Sequence, residues 1–132
     1  NGDLASALAE SARQVMADRP VELDVQTVGS ARPLNAKIED NLLRVGQEAI
    51  TNALKHSRAS RIQIELGYRP KGVTLRICDN GQGFDPLPRT AANGTHFGLL
   101  GMRERAKQMG ARLDIKSRPG HGTEVELEVP VG

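Results

Sequence analysis

A carboxylate, an amide and a cation fall on one stripe of a predicted helix, where together they could hold a metal ion and phosphates. Glu48, Asn52 and either Lys55 or His56 stand at positions i, i+4 and i+7 or i+8, so they share one side of a helix. Carboxylate and amide oxygens suit a hydrated Mg²⁺ ion, which prefers oxygen ligands and keeps several of its waters. A solvated helix face gives the same pattern. Taken alone, the spacing favours the solvated face.

A second candidate is the sequence DNGQG, which begins at Asp79. Asp79 continues the alternation of the apolar residues before it, so its carboxylate is expected to point toward the helices and to need a hydrogen-bond donor. The exocyclic amine of adenine is such a donor, whereas guanine presents an oxygen there. Gly81 and Gly83 permit positive φ and close approach of the backbone to a flat ring. The alternative is a polar turn in which Asp79 bonds its own backbone, and a lone DxGxG is weak support.

Two glycines, Gly98 and Gly101, open a predicted helix. The free N–H groups at a helix N-terminus bind phosphate readily, and glycines let phosphate oxygens reach those groups. Arg103 or Arg105 could add positive charge. The alternative is a flexible loop that joins an amphipathic helix, which is a common arrangement.

Thr123 starts the last predicted strand, directly after Gly122. Its hydroxyl could bond a water molecule or Asp79 near an adenine ring. A threonine that simply favours the strand after a turn explains the residue equally well.

The elements that must position these residues alternate between helical and strand periodicity, in the order α-β-α-β-β-α-β-β. Helices are predicted from a cap at Asp3 to the Arg19-Pro20 pair, over about residues 36–55 and over about residues 99–109. Each strand has one apolar side and each helix one apolar stripe. A two-layer α/β sandwich, with one mixed sheet and all helices on one face, satisfies both patterns. Residues 79–98 form a long loop, which is typical of a lid.

Composition excludes several classes of protein. The formal charge of +2 over 132 residues is too balanced for binding to a nucleic-acid backbone, and the length fits one domain. No apolar run is long enough to span a bilayer, so no direct membrane contact is expected. The lone Cys78 excludes an internal disulfide and a cysteine-based zinc cluster. A reducing, cytoplasmic compartment is therefore expected, even for a parent protein anchored in a membrane.

Taken in order, the four stretches resemble one known family. QEAITNALKHS, DNGQGF, GLLGMRER and GTEVELEV resemble the N, G1 and G2 boxes and the closing GT motif of the histidine-kinase ATP-binding domain. The resemblance covers about residues 34–130. The wider group is the Bergerat, or GHKL, ATP-binding fold, which gyrase, Hsp90 and MutL proteins share. The form GLLGMRER resembles the kinases that pair with LuxR-type response regulators.

The resemblance implies a role for each candidate residue. Asn52 would ligate Mg²⁺, and Glu48 would order the water shell of the ion. The other residues would contact ATP: Lys55, His56, Gly98 and Gly101 at the phosphates with Leu99 and Met102 beside them, and Asp79, Gly81, Gly83 and Thr123 at the adenine and its water network.

The implied function is to bind Mg–ATP and donate its γ-phosphate to a histidine on a separate dimerisation domain, with a response regulator downstream. None of His56, His96 and His121 precedes an acidic residue, as a phosphoacceptor histidine usually does. Residues 1–132 are therefore expected to be a single, monomeric ATP-binding domain without the dimerisation and sensor domains, and with little autophosphorylation of its own. The alternatives are an ATP hydrolase or anti-sigma serine kinase of the same fold, and a non-catalytic nucleotide-sensing module.

Overall fold

The computed structural model describes residues 3–83 and 99–131. Their helices and strands follow the predicted order: α1 (Leu4–Met16), β1 (Glu22–Val28), α2 (Ala36–Thr51), β2 (Arg61–Arg69), β3 (Gly72–Asp79), α3 (Leu99–Gln108), β4 (Arg112–Ser117) and β5 (Thr123–Pro130). Most of the predicted loop over residues 79–98 lies outside the described residues, namely residues 84–98, which include Gly98.

The five strands form one mixed sheet in the order β1-β2-β3-β5-β4. β1 and β2 run parallel and are connected through α2, whereas the other neighbouring pairs are antiparallel. The helices pack on one another and on one face of the sheet, with contacts from α1 to β1, from α2 to β3 and from α3 to β4. The predicted two-layer α/β sandwich is confirmed.

Strand alternation separates the core from the charged outer face of the sheet. Inward residues of the central strands, such as Leu66, Leu75 and Leu127, are completely buried. On the outer face, Nε of Arg76 lies 3.1 Å from Oε2 of Glu124. Such exposed ion pairs contribute little to stability, so the fold depends mainly on the aliphatic inner face.

Side-chain caps mark where the first two helices begin. Oδ1 of Asp3 accepts the N–H of Ser6 at 2.8 Å, and Oδ1 of Asn35 accepts the N–H of Lys37 at 2.7 Å. Each cap satisfies a helix N–H that has no partner within the helix. No helix in the described part of the chain is long and apolar enough to cross a membrane.

The end of α2 differs from the prediction. An unbroken helix was expected over residues 36–55, but the α-helix ends at Thr51 and Asn52–His56 form a π-helical turn. The N–H of Ser57 donates to the carbonyl of Asn52, five residues earlier, at 2.8 Å. The extra residue in this turn changes the direction of the side chains that follow Asn52.

We predict that Asn35→Ala lowers the free energy of unfolding by about 1 kcal/mol, because the N–H of Lys37 loses its acceptor. Urea unfolding of both proteins measures the change. Asn35→Asp is the matched control, since a carboxylate also accepts this bond and should preserve stability. Equal stability of the alanine variant and the unsubstituted chain would show that the cap contributes nothing.

Candidate functional site

One wall of the candidate site is the last turn of α2 with the π-helical turn. Glu48 is half-buried, and the side chain of Asn52 is only 6% exposed. Lys55 and His56 are exposed, so the π-helical turn separates them from Glu48 and Asn52 instead of continuing one stripe. π-helical turns within helices are often found at functional sites.

A cleft of about 250 Å³ lies between α2 and α3. Its lining comprises Arg44, Gln47, Glu48 and Thr51 from α2, and Gly101, Met102 and Arg105 from α3. Two stretches that are 53 positions apart in the sequence, at Glu48 and Gly101, therefore meet in one cavity. Asn52, Lys55 and His56 do not line this cleft.

Gly101 leaves open space at the α3 wall. A Cβ built on this glycine would meet no atom within 4 Å, so the packing of the described residues does not explain the absence of a side chain. Leu99 and Met102, by contrast, are buried in the hydrophobic core, although Met102 also borders the cleft. The roles of these three residues at a nucleotide stay predictions.

The structure distinguishes the two arginines that the sequence left as alternatives. Arg103 is exposed, whereas Arg105 is half-buried and lines the cleft. Nη1 of Arg105 donates to Oδ1 of Asn41 at 3.1 Å, and Asn41 is only 4% exposed. One turn separates Gly101 from Arg105, which places both on the same side of α3. That spacing could have identified Arg105 from the sequence.

The other end of the candidate site is the carboxylate of Asp79, at the end of β3. Burial raises the pKa of Asp79, while hydrogen bonds from the backbone N–H groups of Gly81 and Thr123 partly lower it. The N–H of Gly81 donates to Oδ1 at 2.7 Å. The alternative reading, in which Asp79 bonds its own backbone turn, is thus part of the arrangement. Burial still disfavours the charged form of this carboxylate. A hydrogen bond from a further donor would stabilise that charged form.

Gly81 and Gly83 are needed for close contacts within the protein itself. A Cβ on Gly81 would lie 2.5 Å from the carbonyl oxygen of Ser57. Gly83 has φ of +70°, and a Cβ there would overlap the carbonyl oxygen of Arg118. Positive φ is confirmed at Gly83. The approach of either glycine to an adenine ring stays a prediction.

Thr123 lies beside Asp79 in the sheet, paired with it across β3 and β5. Its side chain is buried, and Oγ1 lies 2.7 Å from Oγ of Ser117. The bond that Thr123 makes to Asp79 comes from its backbone N–H. Sequence reasoning missed Ser117, which follows no motif and meets Thr123 only through the pairing of β4 with β5.

A larger cleft of about 720 Å³ lies at the opposite end of the sheet, around the turn between β2 and β3. None of the candidate residues lines it. Its size alone therefore does not make it the functional site, because the chemistry that the motifs could perform lies elsewhere.

The sequence profile described as histidine kinase-, DNA gyrase B- and HSP90-like ATPase matches residues 37–132. The sensor protein VraS of Staphylococcus saprophyticus is 35% identical over 127 residues, which are 95% of this chain and 36% of VraS. The sensor histidine kinase LiaS of Bacillus subtilis is 30% identical over 128 residues, 97% of this chain and 34% of LiaS. The chain thus spans about a third of the length of these curated relatives.

Solved structures agree with the sequence comparison. The ATP-binding domain of PrrB from Mycobacterium tuberculosis superposes with a TM-score of 0.72 and 26% identity, covering 99% of this chain and 96% of that domain. The blue-light activated histidine kinase of Erythrobacter litoralis gives a TM-score of 0.76 over 94% of this chain and 39% of that one. At 21% identity, the latter likeness concerns the fold alone. The chain belongs to the family of histidine kinase-, DNA gyrase B- and HSP90-like ATPases.

Proposed function

We propose that this chain binds Mg–ATP and presents the γ-phosphate to a histidine carried by a separate dimerisation domain of a two-component kinase. The observation that carries the proposal is the cleft that Glu48 of α2 shares with Gly101 and Arg105 of α3. A metal-ordering carboxylate and a phosphate-binding helix end must meet in this way if one triphosphate is to contact both. Membership of the family supports the same function.

The phosphate end of the proposed site offers a positive charge and a stretch of backbone that no side chain of the described residues covers. Transfer of a phosphoryl group depends on positioning and charge neutralisation more than on covalent chemistry by the protein. Arg105 supplies a guanidinium that Asn41 holds in the cleft. Gly101 supplies space for phosphate oxygens near the start of α3, where the helix dipole also favours negative charge.

The adenine end relies on Asp79. Burial disfavours its charge, so a ligand that donates a hydrogen bond to the carboxylate gains affinity from it. Adenine has an amine in the required position, and guanine has a carbonyl oxygen. The same carboxylate would therefore select ATP over GTP, since a carboxylate facing a carbonyl leaves two acceptors without a donor.

The residues at the end of α2 fit Mg²⁺ as the metal. No group of three His, Cys, Asp or Glu side chains in the described ranges could hold a metal ion by itself. Mg²⁺ does not require such a group, because it commonly takes one or two protein oxygens and completes its shell with water and phosphate. Asn52 would provide the direct ligand, and Glu48 would orient the metal-bound water. The ion would neutralise charge on the phosphates.

Further parts of the proposal concern the whole protein. Residues 1–132 form a single ATP-binding domain, and the phosphoacceptor histidine belongs to a dimerisation domain of the same kinase. The segment GLLGMRER supports a downstream response regulator of the LuxR type. The lone Cys78 supports a reducing, cytoplasmic location.

Calorimetric titration with Mg–ATP and Mg–GTP tests the site. We expect the chain to bind Mg–ATP and not Mg–GTP. Asp79→Asn should weaken ATP binding by about ten- to a hundredfold, because the charged acceptor is replaced by a neutral amide that carries a donor in place of one oxygen. A folded chain that binds neither nucleotide, or binds both equally, would contradict the proposed adenine recognition.

Gly101→Ala tests the phosphate end in the same titration. Among the described residues, the added methyl group meets no atom within 4 Å beyond the backbone of its own helix, so stability should be unchanged or slightly improved by the higher helix propensity of alanine. Affinity for Mg–ATP should nevertheless fall, because the methyl group takes space needed by a phosphate. Unchanged affinity would exclude a phosphate from this wall of the cleft.

A specific observation also supports a rival function, ATP hydrolysis, since the carboxylate of Glu48 borders the cleft and could activate a water molecule as a general base. We predict that the isolated chain releases inorganic phosphate from Mg–ATP slowly, and that Glu48→Gln changes this rate little. Fast turnover that Glu48→Gln abolishes would establish the hydrolase instead.

A further inference from the structure

The side chain of Asn80 joins the end of β3 to the start of β2. Its Oδ1 accepts two backbone N–H groups, from Ser60 and from Arg61, each at 2.9 Å. Its Nδ2 donates to Oγ of Ser60 at 2.9 Å. One amide thus makes three hydrogen bonds to two consecutive residues, although the side chain lies at the surface.

This clamp continues the pairing of β2 with β3 beyond its last regular pair. Ile62 and Asp79 are the last partners in the ladder, and the backbone N–H of Asn80 still donates to the carbonyl of Arg61 at 3.4 Å. If β2 and β3 were longer, further backbone hydrogen bonds would join them at this point. The side chain of Asn80 makes hydrogen bonds in their place. The carboxylate of Asp79, which neighbours Asn80, therefore lies at a strand end that these additional hydrogen bonds hold.

The residues that Asn80 clamps belong to the stretch that leaves the π-helical turn. Within that stretch, the N–H of Ala59 donates to the carbonyl of Ala53 at 2.8 Å, and the N–H of Ser57 donates to Asn52. A second contact reinforces the connection, because the N–H of Gln82 donates to the carbonyl of Ser57 at 2.7 Å. Backbone hydrogen bonds thus connect the segment after Asp79 with the π-helical turn that begins at Asn52.

We infer that Asn80 is a positioning residue that fixes the separation between Asp79 and the Asn52 end of α2. The inference rests on the proposed function, in which one Mg–ATP molecule contacts both ends. A ligand that spans two subsites binds tightly only if their separation already matches its length, because any adjustment costs binding free energy. Asn80 itself touches neither adenine nor metal in this account.

The competing explanation is that Asn80 only stabilises the fold. Ligands of different length separate the two roles. Adenosine reaches only the Asp79 end and Mg–tripolyphosphate only the cleft, whereas Mg–ATP reaches both. Loss of the clamp should weaken the long ligand and spare the two short ones, while general destabilisation below the unfolding temperature should change none of them selectively.

The test is calorimetric titration of the Asn80→Ala chain with Mg–ATP, adenosine and Mg–tripolyphosphate. We expect affinity for Mg–ATP to fall about tenfold, and affinities for both short ligands to change by less than about twofold. Hydrogen exchange at the amides of Ser60 and Arg61 should accelerate, which reports directly on the lost bonds. Ser60→Ala removes only the hydroxyl that accepts from Nδ2 of Asn80, so it should weaken Mg–ATP binding selectively but by less than Asn80→Ala. This variant replaces Asn80→Ala in the titrations if the latter does not fold.

Asn35→Ala is the matched control, because it removes another surface asparagine that accepts a backbone N–H, at the start of α2. It should lower stability and leave all three affinities unchanged. Equal losses for the three ligands in Asn80→Ala, or no loss for Mg–ATP, would overturn the positioning role while Mg–ATP binding by the unsubstituted chain stands. If the unsubstituted chain does not bind Mg–ATP, the proposed function fails, and the role of Asn80 fails with it.

Discussion

A carboxylate occupies the inward position at the end of β3, where strand alternation would otherwise place another aliphatic side chain. Burial raises the pKa of Asp79, and two backbone N–H groups partly offset this effect. One of these donors belongs to Gly81, which must be glycine because Ser57 fills the space of a side chain. The other belongs to Thr123, whose position depends on the pairing of β3 with β5. The surroundings of the Asp79 carboxylate therefore constrain the loop at Gly81, the pairing of β3 with β5 and the end of the π-helical turn at Ser57.

The same constraint connects the two ends of the proposed nucleotide site. The loop that serves Asp79 packs against Ser57, which closes the π-helical turn that begins at Asn52. The connection from this turn to β2 includes Arg58 at φ of 54°, a conformation that costs a non-glycine residue roughly 1 kcal/mol. Tertiary contacts on both sides of Arg58 hold this strained backbone in place. Hydrogen bonds within the protein thus connect the proposed adenine and phosphate ends.

The sequence predicts the order of elements and the single covered face of the sheet, because periodicity reports directly on which side of each element is buried. It does not predict the π-helical turn, since Asn52–His56 contain ordinary helix residues and the i→i+5 bonds depend on the tertiary contacts of Ser57. The four motifs predict both ends of the candidate site. The spacing of Arg105 from Gly101 could have favoured it over Arg103, but the hydrogen bond from Arg105 to Asn41 requires the packing of α3 against α2. The pairing of Ser117 with Thr123 requires the register of β4 against β5. Such long-range contacts leave no local pattern.

The central claim is that Asp79 and the cleft between α2 and α3 form one site for one nucleotide. Titration of the isotopically labelled chain with Mg–ATP, followed through backbone amide NMR shifts, tests it most directly. The account predicts that amides at the adenine end, Gly81 and Thr123, and at the phosphate end, Gly101 and Met102, all shift with a single dissociation constant. Shifts confined to one end, or two ends that titrate with different dissociation constants, would contradict the claim.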